Sequence, residues 1–308
     1  MNNITTQDLK QEDLMILKEL ESLAKMEFSI VKNIRGNTKM GITVENGRIT
    51  GCGLYRLYLK ILPDSIGKLD SLKELFMDVN NLKSFPESIG QLTSLQIFHA
   101  NRNKLKELPE SIGNLRSLKK LWVYENSLST IPETIGELES LEELYLSDNK
   151  IKELPQSIGN LKSLKRLTLN NNKLNNLPES IEDLKSLEFL SLNINKFENI
   201  PESVLKLKSL KELSLYSNKL QCIPESIADL SSLETLRLSM NKLSHITDFI
   251  GELSSLHTLK LDDNNLSDLP DSIIDSQSLK YLDIRKNNFE AVPKIIKTLE
   301  KRDIKLYY

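Results

Sequence analysis

The chain of 308 residues has a formal net charge of −2, which gives no basic excess and weighs against a nucleic-acid partner held by phosphate contacts, so none is expected. Only two cysteines are present, Cys52 and Cys222, which do not make a disulfide framework, and this favours a reducing compartment. Because the N-terminus has no signal-like apolar segment and no stretch approaches about 18 consecutive apolar residues, we expect a cytoplasmic protein without membrane contacts.

The first 46 residues follow a different pattern from the rest of the chain. Apolar residues recur at helical spacing over residues 7–27, which predicts one amphipathic helix. The dipeptide Asn46-Gly47, between short apolar stretches, favours a tight hairpin turn. We predict that residues 1–46 form an N-terminal cap, a helix followed by the start of a hairpin, because the first unit of a stacked array needs an atypical neighbour to cover its apolar side.

The remainder of the chain repeats every 23 residues around an asparagine. The frame reads LxxLxLxxNxLxxLPxxIxxLxS and divides residues 47–301 into eleven repeats, the first of which has Leu57 in place of the asparagine. We call the ten recurring residues the asparagine column: Asn80, Asn103, Asn126, Asn149, Asn172, Asn195, Asn218, Asn241, Asn264 and Asn287.

The frame predicts a local structure for each repeat. Alternation in Leu-x-Leu indicates a short strand with its leucines turned inward, so each repeat adds one strand to a parallel sheet of about 11 strands. A proline followed by Glu-Ser suits the first turn of a short helix or 3-10 segment. The asparagine amide can bond backbone groups of its own and the neighbouring repeat.

The chain ends with residues 302–308, which alternate like a strand but are one residue out of register with the repeats. We predict a C-terminal capping strand that closes the array, where Lys301, Arg302 and Lys305 discourage further stacking.

This frame is similar to that of the leucine-rich repeat family in its 23-residue form, and its LPxxIGxLxxL wording resembles Ras-interacting, Roco-type and prokaryotic members. The resemblance implies an α/β fold: a right-handed solenoid shaped like a horseshoe, with a parallel sheet on its concave side and short helix or 3-10 segments on its convex side. It also implies that the variable residues of the concave face bind a partner.

Four consecutive repeats carry a ring between the two strand leucines, and these rings stand roughly 5 Å apart by strand spacing. Trp, Tyr and Arg are enriched at interface hot spots, so we interpret the cluster as an exposed binding surface. An alternative remains that the rings only support one another laterally. The predicted partner-binding residues are Phe76, His99, Arg102, Trp122, Tyr124, Glu125, Tyr145, Phe189 and Tyr216.

The sequence contains no catalytic or metal-ligating constellation, so we expect a non-enzymatic protein without catalytic residues, metal or cofactor. The first hypothesis is a monomeric module that binds a protein partner on its concave face. The resemblance to Ras-interacting repeats makes a small GTPase, or another signalling protein, a candidate partner. The alternative is a scaffold or substrate-targeting subunit of a larger complex, acting on small GTPase signalling.

Overall fold

The computed structural model describes residues 6–308, without the side chain of Gln7, so the first five residues of the predicted cap lie outside the described part of the chain. The chain forms two compact units. We call Met1–Ile151 with Asn160–Leu164 the N-terminal unit, and Lys152–Gly159 with Lys165–Tyr308 the C-terminal unit.

The N-terminal unit begins with a 3-10 turn, Thr6–Asp8, and the helix α1, Gln11–Ala24. This helix is shorter than the predicted residues 7–27 because Lys25 adopts a left-handed conformation (φ 52°), and its N–H bonds the carbonyl of Glu21. The helix is tied to the following strands by Asp13, whose buried carboxylate accepts a hydrogen bond of 2.8 Å from the backbone N–H of Ile49.

The predicted hairpin is present. After the short strand β1 (Ser29–Ile30), β2 (Lys39–Glu45) and β3 (Arg48–Leu54) pair antiparallel. Both residues of the turn have positive φ, 51° at Asn46 and 72° at Gly47, as this type of two-residue turn requires. Strand β3 is also the strand of the first repeat, since Cys52 pairs with Leu75 in a parallel register. The hairpin therefore crosses the predicted boundary at residue 46.

The repeats supply three-residue strands whose central residue is fully buried, as the Leu-x-Leu alternation predicts. In the N-terminal unit these are β4 (Glu74–Phe76), β5 (Ile97–His99), β6 (Lys120–Trp122) and β7 (Glu143–Tyr145). In the C-terminal unit they are β8 (Arg166–Thr168), β9 (Phe189–Ser191), β10 (Glu212–Ser214), β11 (Thr235–Arg237), β12 (Thr258–Lys260) and β13 (Tyr281–Asp283). Within each unit these strands pair parallel with a 23-residue offset.

Between strands the chain forms short 3-10 or α segments, in most repeats directly after the proline of the frame, as predicted. The 3-10 segments are Asp64–Lys68, Glu87–Gln91, Glu110–Asn114, Glu133–Glu137, Gln156–Asn160, Glu179–Asp183, Glu225–Asp229, Asp248–Glu252 and Asp271–Asp275. The α segments are α2 (Glu202–Leu205) and α3 (Lys294–Leu299). Parallel strands joined by such segments confirm the predicted fold class.

The described residues contain fourteen strands, whereas about 11 were predicted. The eleven repeats account for β3 to β13. The others are β1 and β2 in the cap and β14 (Lys305–Tyr307), all of which lie outside the repeat frame. Strand β14 pairs parallel with β13 at an offset of 24 residues, Leu282 opposite Leu306, and so departs by one residue from the register of the repeats.

The asparagine column bonds backwards along the chain. The Nδ2 group of Asn103 donates to the carbonyls of Met77 (2.9 Å) and Ala100 (3.2 Å), and its Oδ1 accepts from the N–H of Leu82 (3.1 Å). Two of these three partners belong to the preceding repeat. The first repeat has Leu57 in the asparagine position, and its backbone N–H donates to the Oδ1 of Asn80, in the next repeat, at 3.0 Å. This N–H is therefore satisfied although the first repeat has no asparagine of its own.

The residue before each asparagine adopts a left-handed conformation, which the sequence did not signal because no glycine stands there. Two of these ten residues, Val79 (φ 60°) and Ile194 (φ 54°), are β-branched, a type of residue that normally avoids the left-handed region. The conformation lets each N–H reach the next strand: that of Ile194 donates to the carbonyl of Tyr216 at 2.8 Å. The hydrogen bonds of the repeat thus hold a strained residue in place.

We predict that Asn103→Ala lowers the free energy of unfolding by about 1 to 3 kcal/mol, because the buried N–H of Leu82 loses its acceptor. The measurement is chemical denaturation. Lys104→Ala, on the exposed neighbouring residue, is the matched control and is expected to change the stability by less than about 0.5 kcal/mol. Equal stability of Asn103→Ala and wild type would contradict a structural role of the column.

We also predict that Ile194→Asn raises the free energy of unfolding by on the order of 1 kcal/mol, because asparagine tolerates the left-handed region that isoleucine avoids. The asparagine at 171 already has this conformation, with φ 50°. The control is Val292→Asn, an exposed β-branched residue outside the positive-φ set. If both substitutions shift the denaturation midpoint equally, relief of backbone strain is not the cause.

Candidate partner-binding site

Four rings at the ends of β4 to β7 form a continuous stack, which we call the aromatic ladder: Phe76, His99, Trp122 and Tyr145. The ring of His99 packs edge-on against Phe76 (centroids 4.6 Å apart) and lies almost parallel to Trp122 (3.9 Å, 11°). Trp122 in turn stacks on Tyr145 (4.8 Å, 4°). Strands roughly 4.8 Å apart in exact register place rings at this stacking distance. The lateral support considered above as an alternative is therefore present.

The prediction that the whole cluster is exposed is wrong. Phe76 is only 5% and His99 8% exposed, and Trp122 and Tyr145 are half-buried. One cause of this burial is the stacking of each ring against its neighbours in the ladder. The other is the cap, whose residues 31–38 cross the same face of the sheet next to β4.

Two glycines in β3 make this crossing possible. A Cβ on Gly51 would come within 2.8 Å of a side-chain carbon of Ile34, and one on Gly53 within 2.7 Å of the carbonyl oxygen of Thr38. Gly53 is paired with Phe76 in the parallel register, so it lies beside the ladder on the same face of the sheet. Any larger residue at these positions would push the cap away from this face, and the first two rings would then be uncovered.

Beside the ladder lies an exposed ion pair between two predicted site residues. The Nε of Arg102 donates to both carboxylate oxygens of Glu125, at 2.9 and 3.0 Å. The side chain of Arg102 is 57% exposed, so the pair is open to solvent and to a partner. The neighbouring Tyr124 is half-buried, and burial raises the pKa of its hydroxyl.

A second polar run lies on this face, and the sequence analysis selected its tyrosines but not the Asp and Asn residues that link them. The Oδ1 of Asp78 accepts from the N–H of Asn101 (2.8 Å), and the Oδ1 of Asn101 accepts from the N–H of Tyr124 (3.1 Å). The C-terminal unit repeats the pattern in Asn170, Asn193 and Tyr216, with two bonds of 2.9 Å. Asp or Asn two residues before the asparagine column was the available signal.

Ladder, polar run and cap together enclose a cleft of about 240 Å³ in the N-terminal unit, which we call the Asp78 cleft. Its lining includes Tyr55, Asp78, His99, Arg102, Trp122 and Tyr124, with Gly36 and Asn37 from the cap. The sequence reasoning selected four of these residues. It did not select Asp78 and Tyr55, because only the crossing of the cap makes them part of a site.

Burial determines the protonation of the two titratable groups at the back of the cleft. Asp78 is 7% exposed, and this desolvation raises the pKa of its carboxyl to about 6, against the opposing effect of its bond to Asn101. Desolvation, aided by the charge of Lys120, lowers the pKa of the His99 imidazole to about 4. At neutral pH the cleft therefore contains an ionised carboxylate and an uncharged imidazole.

The remaining predicted residues, Phe189 and Tyr216, belong to the C-terminal unit. The ring of Phe189 is half-buried, and the guanidinium of Arg166 lies 4.3 Å from its centroid. Tyr216 is 37% exposed, and Ile194 (47%) and Met240 (44%), which the sequence reasoning did not select, are exposed in the same unit.

The described part of the chain contains neither a metal-binding cluster nor a membrane-spanning helix. No group of three His, Cys, Asp or Glu side chains within this part of the chain could hold a metal ion. No helix formed by residues 6–308 combines the length and the apolar character needed to cross a membrane.

We predict that Asp78→Asn stabilises the protein at pH 8. The folded-state pKa of about 6 lies above the ordinary value of 3.8, so the ionised carboxylate destabilises the fold fully above pH 6 and not at all below 3.8. Denaturation should show a gain on the order of 2 kcal/mol at pH 8 that largely disappears at pH 4. The control, Glu107→Gln on an exposed residue of the same unit, should show no gain. A variant less stable than wild type at pH 8 would contradict this view of Asp78.

Comparison with known proteins places this arrangement in a family. A family model described as a leucine-rich repeat region matches residues 52–130, 123–191 and 158–261. Comparison with curated proteins gives no significant match. A leucine-rich repeat protein of Leptospira interrogans is 30% identical over 83% of each chain, with a TM-score of 0.50.

Two further structures are similar. The leucine-rich repeat ectodomain of the Arabidopsis thaliana receptor kinase GASSHO1/SCHENGEN3, in complex with CASPARIAN STRIP INTEGRITY FACTOR 2, is 29% identical over 89% of this chain, with a TM-score of 0.65; this chain spans 40% of that ectodomain. An internalin of Listeria monocytogenes, 16% identical over 98% of this chain and 96% of its own, shares the fold with a TM-score of 0.62. The repeats, the parallel strands and the family match together show that the chain belongs to the leucine-rich repeat family.

Proposed function

We propose that the chain is a non-enzymatic module that binds a protein partner around the Asp78 cleft, on the face of the N-terminal unit's sheet that carries the aromatic ladder. The observation that carries the proposal is the grouping of Arg102, Trp122 and Tyr124 around one cleft. Arg, Trp and Tyr are the residue types that dominate binding energy at protein interfaces. The similar Arabidopsis ectodomain, crystallised with CASPARIAN STRIP INTEGRITY FACTOR 2, supports a binding role for this fold.

The geometry also limits the cost of binding. Trp122 is held between His99 and Tyr145, and Arg102 is oriented by two hydrogen bonds to Glu125. Side chains that are already ordered lose little conformational entropy when a partner docks. The exposed parts of Arg102 and Tyr124 are therefore the contacts that we expect to dominate affinity, with the ladder as their rigid support.

A second candidate function is that of a scaffold in a larger complex, acting on small GTPase signalling. The observation that favours it is the exposed apolar group in the C-terminal unit, where Ile194, Tyr216 and Met240 are 47%, 37% and 44% exposed. A scaffold needs a second contact surface, and exposed apolar residues in one unit are candidates for it. The small GTPase partner, the monomeric state and the cytoplasmic location remain predictions.

We predict that partner binding depends on the N-terminal unit. Affinity capture from a lysate of the source organism should recover the same partner with wild type and with Arg116→Glu, an exposed control outside the cleft lining. Arg102→Glu combined with Tyr124→Ala should weaken that binding by roughly 30-fold, which corresponds to a loss of about 2 kcal/mol. The dissociation constant of the captured partner, measured by calorimetry, gives the comparison.

Trp122 is unsuitable for this test because its removal would break the ring stack. A partner that still binds the double variant at wild-type affinity but is lost on Ile194→Asn with Met240→Asn would contradict the proposal and favour the scaffold.

A further inference from the structure

The floor of the Asp78 cleft is a carboxylate without a counter-ion. Asp78 is 7% exposed, its Oδ1 accepts the N–H of Asn101 at 2.8 Å, and its Oδ2 lies toward Gly36 of the cap, 3.4 Å from where a Cβ would stand. The charge of Arg102 opposes the rise in the pKa of this carboxyl, but Arg102 forms its ion pair with Glu125, and among residues 6–308 no lysine, arginine or histidine forms an ion pair with Asp78. Buried aspartates are normally paired, so the missing cation is the feature to explain.

The surroundings favour a cation from outside. Arg102 is the basic residue that lines the cleft, but its charge is compensated by the two bonds to Glu125. His99 is uncharged at neutral pH because burial keeps the pKa of its imidazole low, at about 4. The walls include Tyr55 and Tyr124, and aromatic side chains attract cations. The net charge of the cleft and its rim is therefore negative.

The hydrogen bonding of Asp78 selects among cations. A guanidinium binds best as a fork to both oxygens of a carboxylate, but Oδ1 of Asp78 is occupied by Asn101. The side chain of Asn101 also bonds this carboxylate, so few acceptor positions remain, which suits an ammonium because that group acts as a compact point charge. The volume of about 240 Å³ lies below the usual range of pockets for whole small molecules, and it is sufficient for one long side chain.

We propose that the Asp78 cleft receives a lysine side chain of the protein partner, with its ammonium group on the carboxylate of Asp78. The inference rests on the proposed function, since it names the group that the partner inserts at the same site. It assigns to Asp78 a role in recognition, whereas Arg102 and Tyr124 contact the partner at the rim.

The chain has a single tryptophan, which lines the cleft, so its indole is a direct reporter. The experiment titrates the full chain with Nα-acetyl-lysine methyl ester and follows the indole ¹H–¹⁵N resonance of Trp122. We expect a saturable shift with a dissociation constant on the order of millimolar. The uncharged norleucine ester, matched in length, should give none, and the arginine ester should bind several-fold more weakly.

Asp78→Asn keeps an acceptor for the backbone N–H of Asn101 and removes the charge. It should weaken binding of the lysine ester at least about tenfold, as for loss of a charged hydrogen bond, while Asp148→Asn leaves it unchanged. The indole spectrum of unliganded Asp78→Asn, together with its denaturation curve, shows whether the variant is folded.

Three results would overturn the inference: no saturable shift with the lysine ester, an equal shift with norleucine, or wild-type affinity in folded Asp78→Asn. Much tighter binding of free spermidine than of the ester would also overturn it, since the ammonium would then come from a free polyamine. The proposed function fails separately. If partner capture remains sensitive to Arg102→Glu while the ester does not bind, only the lysine inference is lost.

Discussion

The structure depends on one constraint: each repeat must satisfy the backbone groups of the repeat before it. The asparagine amides do this by bonding two carbonyls and one N–H around the bend after each strand, as Asn126 does with Ala100, Val123 and Leu105. A buried backbone group without a partner is costly, so a shift of a repeat by one residue is not tolerated. This requirement explains why the 23-residue period does not vary along the repeats.

The same constraint determines how side chains are arranged on the sheet face that carries the aromatic ladder. Exact register places equivalent residues of successive strands side by side, so any column becomes a row of touching side chains. In the N-terminal unit one such row is the aromatic ladder and another is the run of Asp78, Asn101 and Tyr124. The side chains of such a row bury part of their surface against one another. The surface that stays accessible to a partner is the rim and the cleft between the rows and the cap.

The sequence predicted the elements that depend on local pattern. The leucine alternation, the proline that begins each short helical segment and the Asn46-Gly47 turn all act over a few residues, and each was found where expected. The count of about 11 strands covered the repeats, which supply β3 to β13; β14 lies in the segment predicted separately as a C-terminal capping strand, and β1 and β2 do not follow the repeat frame.

The exposure of Phe76 and His99 was wrongly predicted, because their burial depends on a contact between distant parts of the chain. Periodicity correctly places Phe76 and His99 on the outer face, but it does not show that residues 31–38 pass over that face. The crossing depends on Gly51 and Gly53, whose missing side chains leave room for Ile34 and Thr38. Within the repeat frame, Gly51 and Gly53 occupy positions where residues vary, so the sequence alone does not mark them. Their role in making room for the cap is visible only in the structure.

Asp78 shows how a repeat protein can separate a functional residue from its structural equivalents. Asn101 and Asn170 stand in the same column and accept the same backbone hydrogen bond from the next strand, at 3.1 and 2.9 Å, as Asp78 does at 2.8 Å. An asparagine at position 78 would therefore satisfy this backbone N–H equally well. The carboxylate adds a negative charge, in a place where burial raises its pKa to about 6 and makes that charge unfavourable for folding, although the side chain of Asn101 also bonds it. The cost of this charge, at a position where an amide meets the same backbone requirement, is the reason to propose that Asp78 attracts a cation from outside the chain.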